Sequence, residues 1–174
     1  MLQHLMTRFS PTLIISTLLL ATYLAQQHGN PLVFLPAGIQ LLACFVYGLR
    51  ALPGCIIGMG LGSALLAHYP LHFDNLTVQA AYGTLSTLSL LGLIHAVCHA
   101  SRINDELSGL GYRHILIVVG LQTLSDALLH TALIPDFEHS AAAQFMAHAA
   151  GSLLGSMAVV LSLFVLATLH RKLA

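Results

Sequence analysis

Residues 31–68 read PLVFLPAGIQLLACFVYGLRALPGCIIGMGLGSALLAH, two apolar runs hinged at Tyr47-Gly48-Leu49-Arg50-Ala51-Leu52-Pro53. Each run approaches the roughly 17 to 25 residues that cross the hydrocarbon core of a bilayer, and the hinge is too short to hold a domain. The stretch predicts a membrane hairpin. Its one charge, Arg50, falls in the hinge, where a guanidinium reaches phosphate head groups without losing hydration. That assigns the hinge to the cytoplasmic face. In the second run Gly54, Gly58 and Gly62 recur every four residues, with Gly60 beside them, so one helix face is almost bare and a neighbour can approach closely. Packing within the bundle is the expected use of this stripe, and a homodimer face is the alternative.

The whole chain shares this character. Of its 174 residues 57% are hydrophobic and 7% charged, with a mean hydropathy of +0.85, against about 25% charged in soluble domains. Composition therefore predicts an all-α, polytopic membrane bundle over residues 1–174, a single integral-membrane domain in contact with lipid. The formal net charge is zero, which leaves no basic surface for nucleic acid. Cys44, Cys55 and Cys98 lie inside apolar runs without paired spacing, as small packing residues rather than a disulfide framework.

Six spans fit. The first covers about 11–27, which could also serve as a signal peptide after its basic lead; the hairpin supplies the second and third. The fourth runs over about 78–99, the fifth over 114–133 and the sixth over 143–169. Turn chemistry at 26–30, 69–75 and 134–139 marks three outer loops. Arg8, Arg50, Arg102, Arg113, Arg171 and Lys172 are all the lysines and arginines present. All six fall at inner ends if both termini are cytoplasmic, the arrangement that basic residues near span ends select. His28, Asp74 and Asp136 are then outside.

The pattern Phe34-Leu35-Pro36-Ala37-Gly38-Ile39, then Tyr47-Gly48-Leu49-Arg50, then Leu52-Pro53-Gly54 with Ile57-Gly58, resembles the opening of the first membrane-associated sensor (MASE-type) family. These are input domains of the bacterial inner membrane. The resemblance covers about forty residues, with a looser echo in the helix carrying Gly151 and Gly155. It implies a sensory module that usually precedes a cyclase or kinase. These 174 residues leave no room for such an output domain, so the resemblance implies a stand-alone form whose output comes from a partner protein.

One acid is left over from the charge census. Asp126 lies within the fifth span, where an ionisable group is costly unless paired and marks function by default. Gln122, Asp126 and His130 are four apart and share one helix face. Counting at about 1.5 Å per residue places Asp126 about 10 Å inside the outer boundary. His148 of the sixth span reaches a matching depth, and Gln40 falls in the same outer half. Together these residues predict a polar pocket opening outward and rimmed by His68, His72 and His139. Its use is either binding of a ligand, proton or metal or a plain interhelical hydrogen bond. His95 and His99, at i and i+4 around Cys98, form a second pair that could hold a metal but supplies only two of the usual four ligands. A haem would need histidines on facing helices, and no cofactor is specified.

No phosphate loop, zinc-protease helix or nucleophile elbow occurs, so the expected class is non-enzymatic. A multi-pass sensory or regulatory module binding a small ligand or partner helix is the first expectation. A small transporter or metal-handling protein using Asp126, His130 and His148 is the second, and a structural subunit of a larger membrane complex the third.

Overall fold

A computed structural model describes residues 2–27, 34–66, 73–103, 110–134 and 140–173. It is helical throughout its described elements: α1 (Leu2–Gln27), α2 (Leu35–Tyr47), a 3-10 turn (Gly48–Ala51), α3 (Leu52–Leu66), α4 (Phe73–Ala100), α5 (Tyr112–Leu133) and α6 (Ala141–Leu173). Among the described residues four stretches are long and apolar enough to cross a membrane: Leu35–Gly62, Thr77–Ala100, Tyr112–Leu133 and Ala141–Leu166. Ser10–Ala25 is a shorter apolar helix.

Leu35–Gly62 is folded back on itself. Pro36 stands in the first turn of α2, and Gly48 ends the helix at φ +54, donating its N–H to Cys44 O; a positive φ costs glycine least. The Cys44 and Cys55 thiols then meet across the arms, and Cys55 also bonds Thr87 of α4. The arms hold 13 and 15 helical residues, shorter than the near-full spans expected of the two runs. Other boundaries shift as well. Phe73, Asp74 and Asn75, expected in a loop, open α4, and α1 begins at Leu2 with Pro11 inside it. Where α4 ends, Ile103 N–H donates to Cys98 O and Arg102 N–H to His99 O, with Arg102 at φ 53. This is a left-handed cap that satisfies two end carbonyls without a glycine.

The glycine stripe sets the packing. A Cβ on Gly54 would lie 2.8 Å from Ile15 Cβ and one on Gly58 2.7 Å from Leu19 Cβ, while at Gly62 it would strike the Tyr23 ring. The partners rise in step, four residues at a time, so α1 and α3 run parallel with their backbones in close approach. The stripe is thus covered by α1 of the same chain, and a dimer through it is not available. Gly151 and Gly155 do the same for α2. Gly151 O accepts Phe34 N–H at 2.9 Å, and Gly155 leaves no room for a Cβ beside Phe34 O. Gly38 packs on Gly155 and Val159, so α2 and α6 are also parallel.

The helices close a ring in the order α1, α3, α4, α5, α6, α2, and α2 also touches α4. With these directions, the starts of α1, α3 and α5 and the ends of α2, α4 and α6 share one end of the bundle, the end with the 3-10 turn. Every lysine and arginine of the sequence belongs to this end. Toward it the interior is apolar, built from Leu41, Ala51, Leu90, Ile94, Val118 and Val119. The polar side chains gather in the other half.

Candidate functional site

Asp126 is 2% exposed and takes four hydrogen bonds, two on each carboxylate oxygen. From α4, Tyr82 OH and Ser86 Oγ both donate to Oδ1 at 2.7 Å. From α6, Ser152 Oγ donates to Oδ2 at 3.0 Å, and His148 Nε2 lies 3.2 Å from the same atom. Tyr82 OH also lies 3.1 Å from His148 Nε2. Because its single proton is directed at Oδ1, the phenol oxygen is the acceptor in that contact. His148 therefore carries its proton on Nε2, shared between Oδ2 and the Tyr82 oxygen.

Each helix supplies its part through i, i+4 spacing. Tyr82 and Ser86 on α4, Asp126 and His130 on α5, and His148 and Ser152 on α6 each lie one turn apart on one face. The antiparallel registers of α4 with α5 and of α5 with α6 bring the three faces together. Ser89 and Ser125 bond at 2.6 Å beside them. Gln40 joins from α2: its Nε2 donates to Ser86 Oγ at 3.1 Å and Thr87 Oγ1 at 2.9 Å. Ser86 is thus the link between the carboxylate and α2.

Toward the α5–α6 connection the network continues as an aromatic stack. The His130 and His148 rings are parallel to within 15° at a centroid distance of 4.0 Å. The Tyr82 ring stands nearly perpendicular to that of His130 at 5.5 Å, and Phe34 flanks His148 at 5.3 Å. Gln144 Nε2 lies 3.4 Å from His130 Nδ1 and also donates to Ile134 O. Parallel stacked imidazoles direct their in-plane lone pairs side by side rather than toward one point, a poor geometry for sharing an ion.

The structure brings together Asp126, His130, His148 and Gln40, the last through Ser86. It separates Gln122 from the carboxylate: its Nε2 donates instead to Ala37 O at 3.3 Å, because α2 lies on that side of the face. His68, His72 and His139 lie outside the described residues. His95 and His99 are exposed on α4 with ring centroids 6.4 Å apart, and no group of three histidine, cysteine or acidic ligands occurs among the described residues. Sequence reasoning missed Tyr82, Ser86 and Ser152. The available signal was the polar stripe Tyr82, Ser86, Ser89 on α4, matched by His148, Ser152, Ser156 on α6.

No protein-family model, no curated protein and no solved structure matches the chain.

Proposed function

We propose that this chain is a sensory or regulatory module of the bacterial inner membrane. In this reading it is non-enzymatic, threads six helices through the bilayer with both termini cytoplasmic, and passes its signal to a partner protein. The input is a proton or small ligand reaching Asp126 and His148 from the outer side. One observation carries the reading: a single buried carboxylate is bonded to α4 and α6 and, through Ser86 and Gln40, to α2, while itself belonging to α5. Any change in its charge is felt by four helices at once. The positive end of the bundle supports the orientation, and the opening pattern of α2 and α3 supports the sensory class.

The polar chain Gln144, His130, His148, Asp126 descends from the outer end, which favours transport as the second reading. Past Gln122, Thr123 and Ser156, one turn further in, it meets the apolar layer of Leu90, Ile94, Val118 and Val119, a floor suited to a binding site more than to a passage.

Spin labels at Leu49 and Tyr112, exposed at the inner end, test the proposal in a variant lacking Cys44, Cys55 and Cys98. Moving from about pH 8 to about pH 5, the range in which histidines titrate, should shift the label-to-label distance in nanodiscs, and Asp126→Asn should abolish the shift. An unmoved distance together with solute flux by the purified protein in liposomes would move the assignment to transport.

A further inference from the structure

Four buried side-chain oxygens lack a hydrogen-bond partner among the described residues: Gln122 Oε1, Thr123 Oγ1, Thr131 Oγ1 and Ser156 Oγ. Three of them fall in one layer. The register of α5 against α6 sets His130 on His148 and Asp126 on Ser152, so one turn further inward it sets Gln122 and Thr123 opposite Ser156. These three residues are 2%, 6% and 1% exposed. Bare oxygens in such a place are unfavourable unless something binds them.

All three atoms can accept, and the two hydroxyls can also donate. The Gln122 amide nitrogen is already used on Ala37 O, which leaves its carbonyl oxygen. Thr84, Thr87 and Ser162 turn their hydroxyls back onto the carbonyl four residues earlier, the usual habit in membrane helices; Thr123 and Ser156 do not. Directly above the layer is the Asp126 carboxylate. The titratable groups facing it are Tyr82 of α4, His148 of α6, Tyr23 of α1 and His130 of its own helix. No lysine or arginine is among them. Among the described residues no fixed positive charge therefore offsets the carboxylate.

We infer that this layer is a sodium-sized cation site. Gln122 Oε1, Thr123 Oγ1 and Ser156 Oγ supply neutral oxygen ligands, and Asp126 supplies the charge from one turn away. Hard cations of this size take oxygens at about 2.3 to 2.6 Å, so two such bonds reach about 5 Å, just short of the roughly 5.4 Å of a helical turn, and the flexible side chains close the difference. The inference rests on Asp126 being a binding site that opens outward, and it names one occupant.

The test uses the full chain in nanodiscs with sodium, potassium or choline chloride at equal ionic strength. Sodium should stabilise the protein saturably against thermal unfolding, with potassium and choline weaker. Ser156→Ala and the isosteric Thr123→Val should each weaken sodium binding about tenfold or more while the pH-dependent distance between Leu49 and Tyr112 labels persists. Equal effects of all three salts would mean ordered water only and would overturn the site. Undiminished sodium binding in both variants would also overturn it by placing the ion elsewhere. Either result leaves the proton-reading role of Asp126 standing, since that role is measured by the label distance in Asp126→Asn.

Discussion

The His130 ring lies flat on that of His148, 4.0 Å away and 15° from parallel, and only His148 reaches the carboxylate. Two imidazoles of one bundle are therefore placed in series, with Asp126 at the buried end. Replacing His130 with phenylalanine keeps the stack and removes its nitrogens. Proton exchange at His148, followed by nitrogen NMR in lipid, should slow in this variant while the bond to Asp126 remains. An unchanged exchange rate would show that protons reach His148 by another route.

The tautomer is a sharper expectation. With Tyr82 donating to Asp126 Oδ1 at 2.7 Å, neutral His148 should show a protonated Nε2 and a bare Nδ1 in its nitrogen shifts. Tyr82→Phe removes one acceptor for that proton and should leave the shared bond wholly on Oδ2. Finding the proton on Nδ1 would mean that Tyr82 does not direct its own proton at Asp126.

Asp126→Asn leaves a group that accepts on one side only, so Ser152 and His148 must reorient to accept from the new amide. The expected destabilisation is about 1 to 3 kcal/mol, read by steric-trap unfolding in bicelles. Asp126→Leu strands four polar partners and should cost more. If Asp126→Asn costs well under 1 kcal/mol, near the average interhelical hydrogen bond in membranes, the carboxylate is ordinary glue.

Glycines on α3 should differ sharply by position. Gly58→Leu drives atoms into Leu19 and the α1 backbone, for an expected loss of about 1 to 3 kcal/mol. Gly60→Ala meets nothing within 4 Å and should be neutral or mildly stabilising, following the helix preference for alanine. The same unfolding assay separates the two.

Orientation is tested by cysteine labelling in a background lacking native cysteines. A cysteine at Ser140, exposed before α6, should react with an impermeant reagent added outside cells. One at Leu49 should react only after permeabilisation. The reverse pattern would invert the bundle.

The Asp126–His148 pair was legible because depth in a membrane helix follows from residue counting, and two polar side chains at matched depth on consecutive helices have few other places to go. Tyr82, Ser86 and Ser152 were not, because hydroxyls in apolar helices commonly bond their own backbone, as Thr84 and Thr87 do. Gln122 followed the same counting but was claimed by Ala37 O, a contact set by where α2 docks. The glycine stripe announced a close neighbour without naming it. That α1 fills it depends on helix order around the ring, which no local pattern encodes.

The parallel pairing of α2 with α6 has a consequence for how the chain is made. A ribosome releases α1, α2 and α3 early, and α3 finds α1 at once. Gly38 and Phe34 of α2, however, are seated only by Gly155 and Gly151, more than a hundred residues downstream. Until α6 enters the bilayer, the bare flank of α2 has lipid or insertion machinery for company, and the ring has a gap. Seating α6 closes the ring and delivers His148 and Ser152 to Asp126 in one movement, so the site comes into being only once α6 has been made.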